Sequence, residues 1–232
     1  MIDIKELSKS YAGIKVVNIP ELDIPKGESF GLVGNNGAGK TTFFRMILDL
    51  VRPTSGTVTS KHIDVAKSEG WKTYTGSFLD ESFLIDYLTP DEYFEFLGSL
   101  HEYSDGDLKE FLARFEALFN GEIVGQKKYI RDLSKGNQKK VGIAGALMGN
   151  PEVILLDEPF ANLDPTTQIR LKDVLKEWSE KSQLTMLISS HDLNHVTEVC
   201  ERIVLLEKGE IKQDIQTSDS TLKDLEEYFA AY

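Results

Sequence analysis

One cysteine, Cys200, occurs in 232 residues, which excludes an internal disulfide framework. Histidine is scarce too: four are scattered along the chain, and no cluster has metal-ligand spacing. Cys200 is therefore expected to be a small apolar filler on a helix. No apolar run approaches the ~18 residues that a bilayer-spanning helix needs; the longest are strand-like pieces such as Val153 to Leu156. The N-terminal stretch MIDIKELSKSY lacks the basic start and apolar centre of a signal peptide and alternates like a strand. A cytosolic chain is expected, with any membrane role peripheral. Positive charge is also in short supply. With 26 Lys and Arg against 38 Asp and Glu, the formal net charge is −12, so no nucleic-acid partner is expected. Repeats and low-complexity segments are absent, which sets aside solenoids and disordered tails.

What is present suffices for one large domain, or one domain with a subdomain. Short β-rich segments open the chain and lead through SFGLV into a glycine loop. From Thr41 to Val51, Phe43, Ile47, Leu50 and Val51 fall on one helical face. Gly56 to Tyr74 is β-like again. Thr89, Pro90 and Glu92 then combine an N-cap, a first-turn proline and a capping-box acid, predicting a helix that buries Tyr93, Phe96, Leu97 and Leu100. A further amphipathic helix through Leu108, Phe111, Leu112, Phe115 and Phe119 stops at Asn120-Gly121. After Pro151 the β/α alternation resumes, with a helix from about Pro165 to Lys181, one across His195 and Cys200, and a hairpin turning at Lys208-Gly209. The expectation is an α/β fold with a mostly parallel sheet, an antiparallel flank and a helical insertion. The core would comprise residues 1–82 and 150–232 and the insertion about 83–149. The tail after KGEIKQD is short for a regulatory domain.

Gly34, Asn35, Asn36, Gly37, Ala38, Gly39, Lys40 and Thr41 fit G-x-x-x-x-G-K-[ST], with Thr42 continuing into the helix. Glycines let backbone N–H groups approach α and β phosphates, Lys40 reaches the β and γ phosphates, and the Thr41 hydroxyl suits Mg²⁺. In VILLDEP, Asp157 and Glu158 end a buried strand, where ligands bind in an open parallel sheet. Asp157 suits the metal, and Glu158 can accept a proton from, and orient, an attacking water.

DLSKGNQKK, Asp132 to Lys140, completes a set with the phosphate loop and LLDEP. Together these resemble the motifs of ATP-binding subunits of ABC transporters, over nearly the whole chain, with LSKGN similar to that family's Leu-Ser-Gly-Gly-Gln signature. The resemblance implies a P-loop NTPase (RecA-like) core with an antiparallel β subdomain and an inserted α-helical subdomain. It implies ATP and Mg²⁺ as ligands and a head-to-tail homodimer or heterodimer of cassettes. In that dimer Ser134, Lys135, Gly136 and Asn137 would contact the γ phosphate held by the partner, with Lys135 and Asn137 departing from the usual glycine and glutamine. It further implies adenine stacking on Tyr11, a dimer-crossing loop at Ala161 to Asp164, and γ-phosphate contact by His191. The family's loop glutamine is missing. No Gln precedes Gln126, and Asp80 is the preferred replacement as a metal contact, ahead of Glu81.

Three functions stay open on these grounds: an ATPase that powers a transmembrane permease, a soluble ABC ATPase acting on nucleic acid or ribosomes, and a nucleotide-operated switch without turnover. The complete hydrolytic set and the acidic charge favour the first. The acid at Asp80 and the sequence LSKG resemble the ABC-2 exporter group, so export is expected ahead of import.

Overall fold

The computed structural model describes residues 1–218 and 220–230. Strands β1 (Ile2–Tyr11) and β2 (Ile14–Ile24) form a hairpin, followed by β3 (Ser29–Val33) and helix α1 (Lys40–Ile47). Next come β4 (Ser55–Ser60), β5 (Ile63–Asp64), a 3₁₀ turn and β6 (Thr75–Phe78). Helices α2 (Pro90–Leu100), α3 (Asp105–Ala113), α4 (Glu116–Phe119) and α5 (Lys135–Leu147) lie between β6 and β7 (Val153–Asp157). The chain continues through α6 (Pro165–Ser182), β8 (Thr185–Ser190), α7 (Leu193–Val199), β9 (Arg202–Glu207), β10 (Glu210–Gln216) and α8 (Thr221–Ala230).

Six strands in the order β10-β9-β3-β8-β7-β6 make the main sheet, parallel except for the β10 edge. Every residue of β3, β7 and β8 is buried, as the continuous apolar runs of a sheet covered on both faces require. Side chains alternate between the two faces. Val33, Ile154, Leu156, Met186, Ile188, Ile203 and Leu205 join the core beneath the helices, whereas Phe30, Leu32, Val153, Leu155, Leu187, Val204 and Leu206 join the other. On that second face lie α1 and the antiparallel sheet β2-β1-β4-β5. β8 sits between β3 and β7, so the loops leaving these three strands emerge side by side. That adjacency builds the site.

Several expectations change in detail. α1 ends at Ile47, because Asp49 enters the left-handed region at φ 52° and turns the chain; Leu50 is left 51% exposed. The capping box of α2 forms as expected: Glu92 N–H donates to Thr89 Oγ1 at 3.3 Å, and Thr89 N–H donates to Glu92 Oε2 at 2.8 Å. Its buried face, however, carries Tyr93 and Phe94, with Leu97 half-buried, while Phe96 (43%) and Leu100 (63%) face outward. Contact with α5 and with the Phe111–Phe119 aromatic cluster selects this face over the periodicity maximum. The second amphipathic stretch is two helices, broken around Arg114 and Phe115. The β-like reading of Gly56 to Tyr74 holds only to Asp64, and its end is a 3₁₀ turn around the buried Trp71. α7 stops at Val199, and Cys200 caps it, buried. The C-terminal helix α8 was not anticipated.

Candidate active site

The loop after β3 is shaped by close backbone approach. A Cβ on Gly34 would lie 2.2 Å from the Leu206 carbonyl oxygen, and one on Gly39, whose φ is 108°, would lie 2.7 Å from that of Val16. Only glycine fits there. Gly39 precedes α1 without a side-chain cap, so the first-turn N–H groups stay available to an anion, which the positive end of the helix favours. Lys40, with 6% of its side chain exposed, donates to the Gly34 carbonyl at 2.6 Å and lies 3.3 Å from Glu158 Oε1.

Strand register brings the second motif to this loop. Asp157 pairs with Ser189 across β7 and β8, and Val33 pairs with Ser190 across β3 and β8. Thr41 Oγ1 donates to Asp157 Oδ2 at 2.5 Å, and the Ser189 hydroxyl donates to the other oxygen, Asp157 Oδ1. Glu158 N–H donates to Ser189 Oγ at 3.0 Å. Glu158 itself sits in the left-handed region at φ 49°, a conformation that costs of order 1–3 kcal/mol for a non-glycine residue. Its Oε2 lies 2.8 Å from His191 Nδ1 and accepts from the His191 N–H at 3.3 Å. Thus Lys40 and His191 grip opposite oxygens of one carboxylate. Thr41 and Asp157 fit a divalent cation: two oxygen donors, already in contact, suit an ion that takes one or two protein oxygens and completes its shell with phosphate and water. No group of three or more His, Cys, Asp or Glu that could hold a metal ion exists among the described residues.

The signature segment stands apart. Ser134 caps α5, its Oγ accepting from Asn137 N–H at 3.2 Å, and both Ser134 and Lys135 are exposed. Gly136 lies beside the loop before α6: a Cβ there would meet Leu163 Cδ2 at 3.4 Å and the Asn162 carbonyl at 3.6 Å. Asp164 caps α6 with bonds from Thr167 Oγ1 at 2.5 Å and Thr167 N–H at 3.0 Å, and these hold its carboxyl below the ordinary range. Tyr11 is 49% exposed at the end of β1, with Lys9 Nζ 5.0 Å from its ring centre. Asp80 caps a short turn, accepting from Ser82 N–H at 2.8 Å, and its Oδ2 lies 3.7 Å from Arg45. Glu81 points instead toward Lys135, 3.8 Å away. Among the described residues neither acid hydrogen-bonds Thr41 or Asp157.

Two residues escaped the sequence reading. Ser189 is the hydroxyl that joins Asp157 to the Glu158 backbone; a polar residue closing an otherwise buried strand was its signal. Lys139 is buried on α5 and donates to the Glu158 carbonyl at 2.7 Å and the Ala161 carbonyl at 2.9 Å. Nothing in its neighbourhood marked it, since a lysine beside Lys140 reads as a solvated face.

A phosphate loop leaving β3, a histidine leaving the adjacent β8 and an acidic pair leaving β7, the next strand over, define a P-loop nucleotide hydrolase. The family model described as ABC transporter matches residues 17–161. Over 227 residues the chain is 32% identical to the methionine import ATP-binding protein MetN of Carboxydothermus hydrogenoformans, covering 94% of this chain and 67% of that one. It is 32% identical over 229 residues to the bacitracin transport ATP-binding protein BcrA of Enterococcus faecalis, covering 94% and 70%. The dimeric post-hydrolysis structure of the ATP-binding cassette MJ0796, bound to ADP and Pi, superposes with a TM-score of 0.81 at 28% identity, covering 94% of this chain and 99% of that one. This chain belongs to the ABC transporter family, as an ATP-binding, ATP-hydrolysing cassette. It spans about two thirds of the length of the curated relatives it matches.

Proposed function

We propose that this cassette powers transport through a separate permease, with ATP closing a head-to-tail dimer and hydrolysis opening it. The observation that carries the hydrolytic part is the Glu158 carboxylate held between Lys40 and His191. In this reading Lys40 and the loop N–H groups bind the β and γ phosphates. Glu158 orients the attacking water and accepts its proton, at an angle fixed by His191. Thr41 and Asp157 would hold Mg²⁺, which supplies neutralisation of phosphate charge when bound. Ser134 to Asn137 face the nucleotide of the other subunit, and Tyr11 stacks on adenine. The bound ADP and Pi and the dimeric state of the MJ0796 cassette support both halves.

Two features support a membrane partner. No helix among the described residues is long and apolar enough to cross a membrane, so a span must come from elsewhere if the cassette drives transport. Leu50, Phe83 and Tyr87 are more than half exposed, and a surface groove of about 230 Å³ between Leu48, Leu50, Trp71, Leu79 and Phe83 offers apolar footing for a permease segment. The insertion of about 83–149, which begins at this groove, would pass motion to that segment, placing the cassette at the inner membrane face. Export is the finer reading, resting on Asp80 and LSKG; similarity to MetN favours import as the second. Substitution Glu158→Gln should lower ATP turnover by about a hundredfold or more while ATP binding is kept. Parent-like phosphate release by that variant would overturn the assignment. Gentle purification from native membranes should bring down an integral membrane protein, and its reconstitution with this chain would reveal the direction of transport.

A further inference from the structure

Lys139 has no part in the phosphate chemistry described so far, yet it is among the most constrained side chains near it. It is 6% exposed, and its ammonium is spent on two backbone carbonyls, those of Glu158 and Ala161. These carbonyls bound one turn, because Ala161 N–H also donates to the Glu158 carbonyl at 3.3 Å. The turn therefore carries an internal bond and an external brace. The brace matters because Glu158 is held at positive φ: the plane of its peptide decides where its carboxylate points. A charged donor to a buried carbonyl is a strong constraint.

The other end of the brace is equally informative. Lys139 sits on α5 roughly 7.5 Å along the axis from Ser134. At the start of the same helix Gly136 lies against Leu163 and Asn162, just past the braced turn. Thus α5 touches the 158–163 segment twice, once through packing and once through the ammonium. The neighbouring charges are acidic: Glu81, Glu158 and Asp157 favour the ammonium, while burial pulls its pKa below the ordinary lysine value. Glu81, in the loop after β6, favours the ammonium by its charge alone, its own ion pair being with Lys135.

We propose that Lys139 is a positioning residue that ties the signature helix to the catalytic turn of the same subunit. Movement of α5 when Ser134 engages a phosphate is thereby delivered to the backbone of Glu158. This inference rests on the proposed hydrolytic role of Glu158 and adds the link that sets its geometry. Lys139 orients and does not touch substrate.

The test compares Lys139→Met, which keeps the stem and removes every donor, with Lys139→Gln, which keeps an N–H donor without the charge. Steady-state ATPase kinetics, binding of a fluorescent ATP analogue and thermal unfolding are measured on each full-length chain. Lys139→Met should lower kcat by about tenfold to a hundredfold, the scale of a misplacement near 1 Å, with KM and analogue affinity within about twofold of the parent. Lys139→Gln should recover part of that kcat. A parent-like kcat in Lys139→Met overturns the proposal. So does a loss of analogue affinity in parallel with kcat, which marks a merely structural lysine. Should Lys139→Met fail to fold, the kcat and KM of Lys139→Gln decide by the same criteria. The Glu158→Gln assay separates the outcomes: if that variant loses turnover and the Lys139 variants do not, only the brace is wrong.

Discussion

The phosphate-loop region and the signature region differ in how their polar groups are used. Around the loop, Lys40, Thr41, Asp157, Glu158, Ser189 and His191 form one connected network, in which Lys40, Asp157 and Ser189 are buried and His191 is exposed. At the signature, Ser134 makes a single capping bond, and its neighbour Lys135 projects outward. A network satisfied from within is pre-organised and needs no second chain to take shape. The helix start at Ser134 is exposed, and under the proposed function its first-turn N–H groups would meet an anion brought by another subunit. The contrast fits the proposed reaction centre divided between two subunits.

The sharpest way to break this comparison is to remove one cation or one hydroxyl. Lys40→Ala should abolish both nucleotide binding and turnover, the latter by about a hundredfold or more. Ser134→Ala should leave nucleotide binding by the single chain intact and lower turnover by about tenfold, together with about 1 kcal/mol of helix-cap stability. Equal losses of nucleotide affinity in the two variants, read by calorimetry, would erase the distinction.

A smaller effect concerns His195, packed on Phe160 with ring centres 4.8 Å apart, directly behind the catalytic turn. Burial holds its pKa below the usual value, against the pull of Asp192 and Glu198 and with a minor push from Lys172 and His191. The unfolded chain, with histidine near pKa 6.5, therefore binds the proton more readily than the folded one. Stability should be complete above about pH 6.5 and fall as pH drops below it. His195→Phe should flatten that slope in denaturant titrations run at several pH values; an unchanged slope would assign the proton to another group.

Smallest of all should be Thr89→Ala, which removes the capping box of α2, far from the phosphate network. Loss of a cap costs about 1 kcal/mol, equivalent to a melting point lower by about 2–4 °C in a domain of this size. ATP turnover should not change. A fall in kcat would extend the catalytic unit into the helical insertion.

What the sequence revealed follows from how local each signal is. The phosphate loop, the acidic pair and the capping box lie within a few contiguous residues, and in each the required backbone shape restricts the residue types. Lys139 and Ser189 act across elements, through carbonyls and strand register that no short window contains. The outward turn of Phe96 and Leu100 has the same origin: periodicity finds an apolar face, but the neighbours decide which part of it is covered. Asp80 is proposed from its position alone; its carboxylate accepts from Ser82 N–H and pairs with Arg45, contacts that no short sequence window predicts.

The two tryptophans divide between the two cores. Trp71 is 5% exposed among the residues packed with α1 and the antiparallel strands; Trp178 is 1% exposed beneath the helices, with the Arg114 guanidinium 3.7 Å from its ring centre. The molecule thus carries one tryptophan in each layer. Replacing either by phenylalanine leaves a label-free reporter of a single layer, so emission can time when each side of the sheet comes apart and whether nucleotide is felt first on the side that binds it.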